Sequence, residues 1–278
     1  MNWIATLNAR IILLLLLLFI VAPYQAARAE TARVDGRVDC TSSCRVTDLE
    51  IIGNVDASTV EKIKRLFDES YERAAREKKR VSSVPGEIVD LNSPGGSVPA
   101  AMAIGRMLRK ERVLVVVPAG GVCYSACVLI YAGGASRMNF GKIGIHRPYF
   151  DDVPKQDVSA ENVKARYQQM LQDIRAYFRE MNVSEQLADA MLRIDPQNLR
   201  LLDEAALDSY GLTKTDPIED ETHDLEMAQM WGLDRSEYIK RKSLAERICI
   251  KLPTLAACHD SIMKTGKAAP ELYSYPMR

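Results

Sequence analysis

Residues 112–118 read RVLVVVP, an apolar run built almost entirely from β-branched side chains. A run of this kind predicts a strand covered on both faces, the environment of a parallel sheet whose connections are helices. The flanking segments agree. "RVTDLEIIGNV" (45–55) and "GEIVDLN" (86–92) read as strands, and "KIGIHRPYF" is strand-like up to Pro148. Between them lie helical patterns. Ser58 and Glu61 have capping-box spacing, and Val60, Ile63, Phe67, Tyr71 and Ala74 follow on one face. That helix closes in the charged run "REKKR", read as a solvated end. Ser97 caps the next helix, with Pro99 in its first turn. "SACVLIYAGGASR" reads as a buried helix.

After residue 150 helices dominate. Residues 159–181 give the clearest one, and a shorter helix covers about 184–193. "DEAALDSYGL" forms another, closed by Gly211, and 234–248 a last one. Alternating strands and helices over 45–150 predict an α/β fold with crossover connections.

The first 29 residues differ from the rest. A short positive segment ends at Arg10, twelve apolar residues follow (11–22), and Ala27 and Ala29 give a small-x-small site. This is the anatomy of a secretory signal cleaved after Ala29. Twelve helical residues span roughly 18 Å against a hydrocarbon layer of about 30 Å. The expected location is exported and periplasmic; the alternative is an uncleaved anchor facing the periplasm. The full chain has 37 basic and 37 acidic residues. Cleavage removes two arginines and no acid, giving a net charge of −2. No basic stripe marks a nucleic-acid binder. All six cysteines follow residue 29, in three local pairs, an even number that permits disulfides in an exported chain. Fifteen connectivities are open to six cysteines. No C-x-x-C or H-E-x-x-H occurs, so no metal site and no cofactor is expected.

Three stretches carry candidate chemistry. In "LNSPGGSVPAAMAI" a strand ends in Gly95 and Gly96 before a helix, which lets backbone N–H groups meet an anion. Neither phosphate-binding glycine pattern is present. In "GGVCYSACVLIYAGG", Ser125 follows a strand and a Gly-Gly turn and opens a helix, as an N-cap or as a nucleophile beside the Ala126 N–H. In "GKIGIHRP", His146 ends the next strand and is the histidine placed to act as a base. G-x-S-x-G is absent; Cys123 and Cys127 flank the serine instead.

Together with "YGL" (210–212), these stretches resemble the superfamily of the Clp protease proteolytic subunit and signal peptide peptidase, over roughly residues 45–213. The resemblance implies a ClpP/crotonase-like fold of stacked ββα units across 30–214, with a partly helical extension over 215–278. It implies Ser125 as nucleophile, His146 as general base, and Gly96, Ala126 and Gly95 as oxyanion donors. "IHRP" is similar to the Clp branch rather than to the branch with a lysine base. For the third catalytic residue, counting back from Tyr210 reaches Leu199, with Asp195 preferred and Asn198 next. The implied activity is an ATP-independent serine endopeptidase acting on peptides or proteins, and the implied assembly is a homo-oligomer. The Clp subunit works with a cytoplasmic ATPase, which an exported chain does not meet. The alternative is a catalytically silent relative serving in binding or assembly.

Overall fold

The computed structural model describes residues 31–81, 87–149, 159–213, 216–249 and 255–267. The signal segment 1–29 lies outside them. Five strands form the main sheet: β1 (Arg33–Asp39), β2 (Arg45–Ile52), β3 (Ile88–Asn92), β4 (Leu114–Val117) and β6 (Ser136–Asn139), in the order β1-β2-β3-β4-β6. β1 is antiparallel to β2 and the remaining pairs are parallel. Three shorter strands form a second sheet: β5 (Val122–Tyr124), β7 (Lys142–Ile145) and β8 (Arg200–Leu201), in the order β5-β7-β8. Ser93, just past β3, bridges to Cys123 of β5 and so joins the two sheets. Alternating strand and helix produce the expected α/β fold.

Helices α1 (Ala57–Glu77), α2 (Val98–Lys110) and α3 (Cys127–Gly133) follow β2, β3 and β5. α1 turns Ile63 and Phe67 into the core, and α2 turns in Ile104 and Leu108. Every residue of α3 is buried, as its apolar sequence predicts. Full burial of one such aliphatic side chain is worth about 1.5–3 kcal/mol, and this central packing holds α3 in place. α2 and α3 meet backbone to backbone. A Cβ on Gly133 would lie 2.3 Å from the Gly105 Cα, and one on Gly105 would strike the Tyr177 hydroxyl. Tyr177 lies in α4 (Ala160–Glu180), and its hydroxyl donates to the Leu129 carbonyl of α3 at 2.7 Å.

Beyond α4 come α5 (Gln186–Leu192), α6 (Glu204–Ser209), α7 (Pro217–Met230), α8 (Arg235–Ile248) and α9 (Leu255–Thr265). The extension is tied to the core by charge. Arg109 of α2 pairs with Asp216, and the Asn182 amide reaches the same carboxylate at 2.9 Å. Burial alone would raise the Asp216 carboxyl, but the Asn182 amide and the Arg109 guanidinium hold it below its ordinary value. Arg112 binds Glu219 at 2.6 Å and Glu226 at 2.7 Å, both in α7.

Four expectations change. Asp56 rather than Ser58 caps α1: its carboxylate accepts the Thr59 N–H at 3.0 Å, and the Thr59 hydroxyl accepts the Asp56 N–H at 3.1 Å. β4 has strands on both sides but only one fully covered face, since Leu114 and Val116 are half-buried. β1, β5, β6 and β8 escape sequence reading, and β6 opens at Ser136, inside the stretch read as a buried helix. β1 interleaves charges with its apolar residues at a sheet edge, and β5 is three residues long. α7 and α9 escape for lack of a strong apolar face.

Gly133→Ala should destabilise the fold by about 3 kcal/mol, because the new methyl enters a contact between two backbones. Urea unfolding would check this, and an unchanged midpoint would mean the helices can separate at no cost.

Candidate active site

β5 and β7 run parallel with Tyr124 opposite Gly144. One residue on, the Ser125 N–H donates to the Gly144 carbonyl at 3.0 Å. Ser125 therefore leaves β5 beside Ile145, the last residue of β7, and His146 is the first residue past it. Neighbouring strands lie about 4.8 Å apart, so the two chain segments carry serine and histidine forward together. The His146 Nδ1 lies 3.0 Å from the Arg147 carbonyl. A carbonyl can only accept, so this bond puts a proton on Nδ1 and, in the neutral ring, a lone pair on Nε2. The His146 ring also lies 5.8 Å from that of Tyr149. The Ser125 hydroxyl makes no hydrogen bond among the described residues, His146 included. Such bonds are often long or absent without substrate.

Ser125 has φ +56°, the left-handed region. For a non-glycine residue this costs roughly 1–2 kcal/mol. The N-cap of α3 is Ala126, which has no side-chain cap, so Ser125 is not the capping residue. A disulfide between Cys123 and Cys127 spans the turn, and both residues are fully buried. Closing so short a loop contributes about 2 kcal/mol of chain entropy, comparable to the cost of the left-handed residue inside it. The other two local pairs, Cys40–Cys44 and Cys249–Cys258, are also bonded.

Gly95 and Gly96 press against this turn. Both have positive φ, +117° and +133°. A Cβ on Gly95 would sit 2.8 Å from the Ser125 Cβ, and one on Gly96 would sit 2.2 Å from the Val55 carbonyl oxygen. No side chain fits between Val55 and Ser125. The two glycines differ as donors. The Gly95 N–H already donates to the buried Ser93 hydroxyl at 3.1 Å. Neither the Gly96 N–H nor the Ala126 N–H has a partner among the described residues. Two free backbone donors thus flank the serine.

Asp195 lies close to the histidine segment but does not reach the ring. The Arg147 N–H donates to the Ile194 carbonyl at 2.9 Å, and the Asp195 carboxylate is 3.9 Å from the Arg147 guanidinium. Asp195 Oδ1 accepts the Gln197 N–H, and the Asn198 N–H donates to the Asp195 carbonyl. The side chain is exposed. No hydrogen bond joins Asp195 or Asn198 to His146 among the described residues.

A groove of about 500 Å³ opens at Gly96 and runs between α2 and α4, past Pro99, Met102, Tyr149 and Met170. Tyr149, on its wall, is the residue whose ring lies 5.8 Å from that of His146. For a metal, Cys40, Cys44 and Glu77 come within reach of one ion, but both sulfurs are already used in a disulfide. Among the described residues, no helix is long and apolar enough to cross a membrane.

Sequence reasoning missed Ser93, Asn92 and Val55. Asn92 Oδ1 accepts the Val122 N–H at 3.0 Å, and Val55 exchanges hydrogen bonds with Gly95 and Ser97 at 2.8 Å each. An Asn-Ser pair before Pro-Gly-Gly reads only as a turn. Its role as a clamp appears once β5 is known to lie alongside.

Fold and site define an α/β protein with a serine, a histidine and free backbone donors at the ends of paired strands. Residues 87–193 match the sequence model of the Clp protease family. No curated protein matches the chain. Among solved structures, it is similar to the 1510-N membrane-bound stomatin-specific protease in two forms. A serine-to-alanine mutant is 18% identical, with 61% of this chain and 79% of that chain covered and a TM-score of 0.41. A lysine-to-alanine mutant in complex with a substrate peptide is 20% identical, with 61% and 75% covered and a TM-score of 0.42.

Ser93→Ala should cost about 1–3 kcal/mol, because it leaves the Gly95 N–H buried and unpaired. The measurement is urea unfolding; equal stability would show that the Ser93 hydroxyl is dispensable.

Proposed function

We propose that the protein is an exported, ATP-independent serine peptidase in which Ser125 attacks and His146 acts as base. The observation that carries this is the paired ends of β5 and β7, which bring Ser125 and His146 out together beside the free N–H groups of Gly96 and Ala126. In this mechanism His146 Nε2 takes the Ser125 proton as Oγ bonds to the peptide carbonyl carbon. The Gly96 and Ala126 N–H groups hold the oxyanion. As the tetrahedral intermediate collapses, the imidazolium returns its proton to the leaving amine. Water then hydrolyses the acyl-enzyme with His146 again as base. The groove at Gly96 has room for peptide side chains, and a peptide backbone could pair along the 95–97 segment.

We give the orienting role usually held by a carboxylate to the Arg147 carbonyl, which fixes the histidine tautomer from Nδ1. Asp195 then acts at one remove, through Arg147. Export is supported by the signal-like first 29 residues and by three disulfides that account for all six cysteines. Self-assembly follows by family analogy alone. A second reading, a silent relative used for binding, is favoured by the absent Ser125–His146 hydrogen bond.

A fluorophosphonate probe decides between the two. The peptidase should take up one adduct, lost in Ser125→Ala. His146→Ala should lower kcat/KM on a peptide by about 10³–10⁴. Asp195→Asn should lower it less than tenfold. A folded wild type that takes no adduct supports the silent relative, and a loss from Asp195→Asn as large as that from His146→Ala restores a triad.

A further inference from the structure

Five non-glycine residues have positive φ among those described. Lys78, Arg112 and Asn182 sit just past the ends of α1, α2 and α4, where the left-handed turn is the ordinary way to stop a helix. Asp48 lies within β2. Ser125 alone of the five comes immediately before a helix. That helix starts without a side-chain cap, and the Ser125 side chain makes no hydrogen bond that would hold the turn. What does cross the turn is covalent. Cys123 is locked on one side by its place opposite Ile143 and its bridge to Ser93, and Cys127 is the first residue of α3. The disulfide ties these two anchors together around the serine.

We infer that closure of the Cys123–Cys127 bond is the maturation step that makes Ser125 reactive. The inference rests on Ser125 being the nucleophile. With both thiols reduced, residues 124–126 are free to relax Ser125 towards a negative φ and turn its hydroxyl away from the Gly96 and Ala126 N–H groups. In the closing step a disulfide of the oxidising compartment accepts two electrons and two protons from the Cys123 and Cys127 thiols. It leaves as two thiols, and one sulfur–sulfur bond forms in the protein. Closure takes place while the reduced turn is still relaxed; once it is closed both cysteines are fully buried and the bond is shielded from reductants. An exported peptidase built like this stays inert in the reducing compartment of its synthesis.

The test compares wild type, Cys123→Ala/Cys127→Ala and Cys40→Ala/Cys44→Ala. One readout is the rate of fluorophosphonate labelling, with Ser125→Ala to identify the adduct; the other is hydrogen exchange over residues 122–130. The 123/127 variant should label at least tenfold slower at a temperature where it is folded, and its amides at 125–128 should exchange faster. The 40/44 variant should stay within twofold of wild type. A bond that only stabilises the fold would lower the melting temperature and leave labelling unchanged. If the 123/127 variant does not fold, a variant with Cys40, Cys44, Cys249 and Cys258 all changed to Ala is refolded in dithiothreitol and then given oxidised glutathione. Labelling should rise in step with formation of the remaining bond. Full labelling before that bond forms, or equal labelling and exchange in the 123/127 variant, overturns the inference. An unlabelled wild type overturns the serine reading, and the inference with it.

Discussion

The hydrogen bond from the Ser125 N–H to the Gly144 carbonyl sets the geometry of everything around it. It continues the β5–β7 ladder one step beyond β5 and fixes which residue of each strand comes out at the same height. Shifting one strand by a single residue would send every side chain to the opposite face. Serine and histidine, 21 residues apart in the chain, leave neighbouring strand ends one register step apart, through strand pairing rather than through a local motif. β8 adds a second check. It pairs antiparallel to β7, with Arg200 opposite Ile145, and brings the 194–199 segment against the histidine. That is how the Ile194 carbonyl comes to hold the Arg147 N–H.

The second constraint is lack of room. Gly95 and Gly96 thread between Val55 and the serine turn with no space for a side chain. The Ser93 hydroxyl accepts the N–H of the first glycine, and Val55 takes up the Gly95 carbonyl and the Ser97 N–H. By elimination the Gly96 N–H is the donor left over. The strand ends in two glycines because neither position has room for a side chain, and only one of them leaves its N–H free. Two adjacent glycines look equivalent in sequence; the clamp made by Ser93 separates them.

What could be read in the sequence followed from strong local signals. The RVLVVVP run, the cap at Ser97 and the apolar stretch SACVLIYAGGASR predicted elements that are present, although the helix in that stretch stops at Gly133 and its last residues open β6. The serine and histidine came from their motifs, and register then placed them on paired strands. What escaped was short or non-local. β5 is three residues long, and β1 belongs to the sheet only because β2 offers it an edge. The capping residue of α1 was misjudged because Ser58 and Glu61 imitate the spacing that Asp56 and Thr59 fulfil. The choice of Asp195 came from counting along the chain, and counting does not reveal that its carboxylate lies 3.9 Å from the Arg147 guanidinium.

The extension bears on the site through the same helix that begins at the serine. The Ala132 carbonyl, near the end of α3, accepts from both Arg109 and Arg137. Arg109 is held by Asp216, the residue that caps α7, and burial lowers Arg137 to about 10 while leaving it charged near neutrality. Removing one partner of a buried charge pair typically costs about 3–5 kcal/mol, more than losing a single exposed ion pair. α3 is therefore anchored at both ends, by the disulfide at Cys127 and by two arginines at Ala132. A helix of seven residues with no cap of its own has little independent stability. Its position, and with it the Ala126 N–H, is set by these two attachments and by the glycine contact with α2.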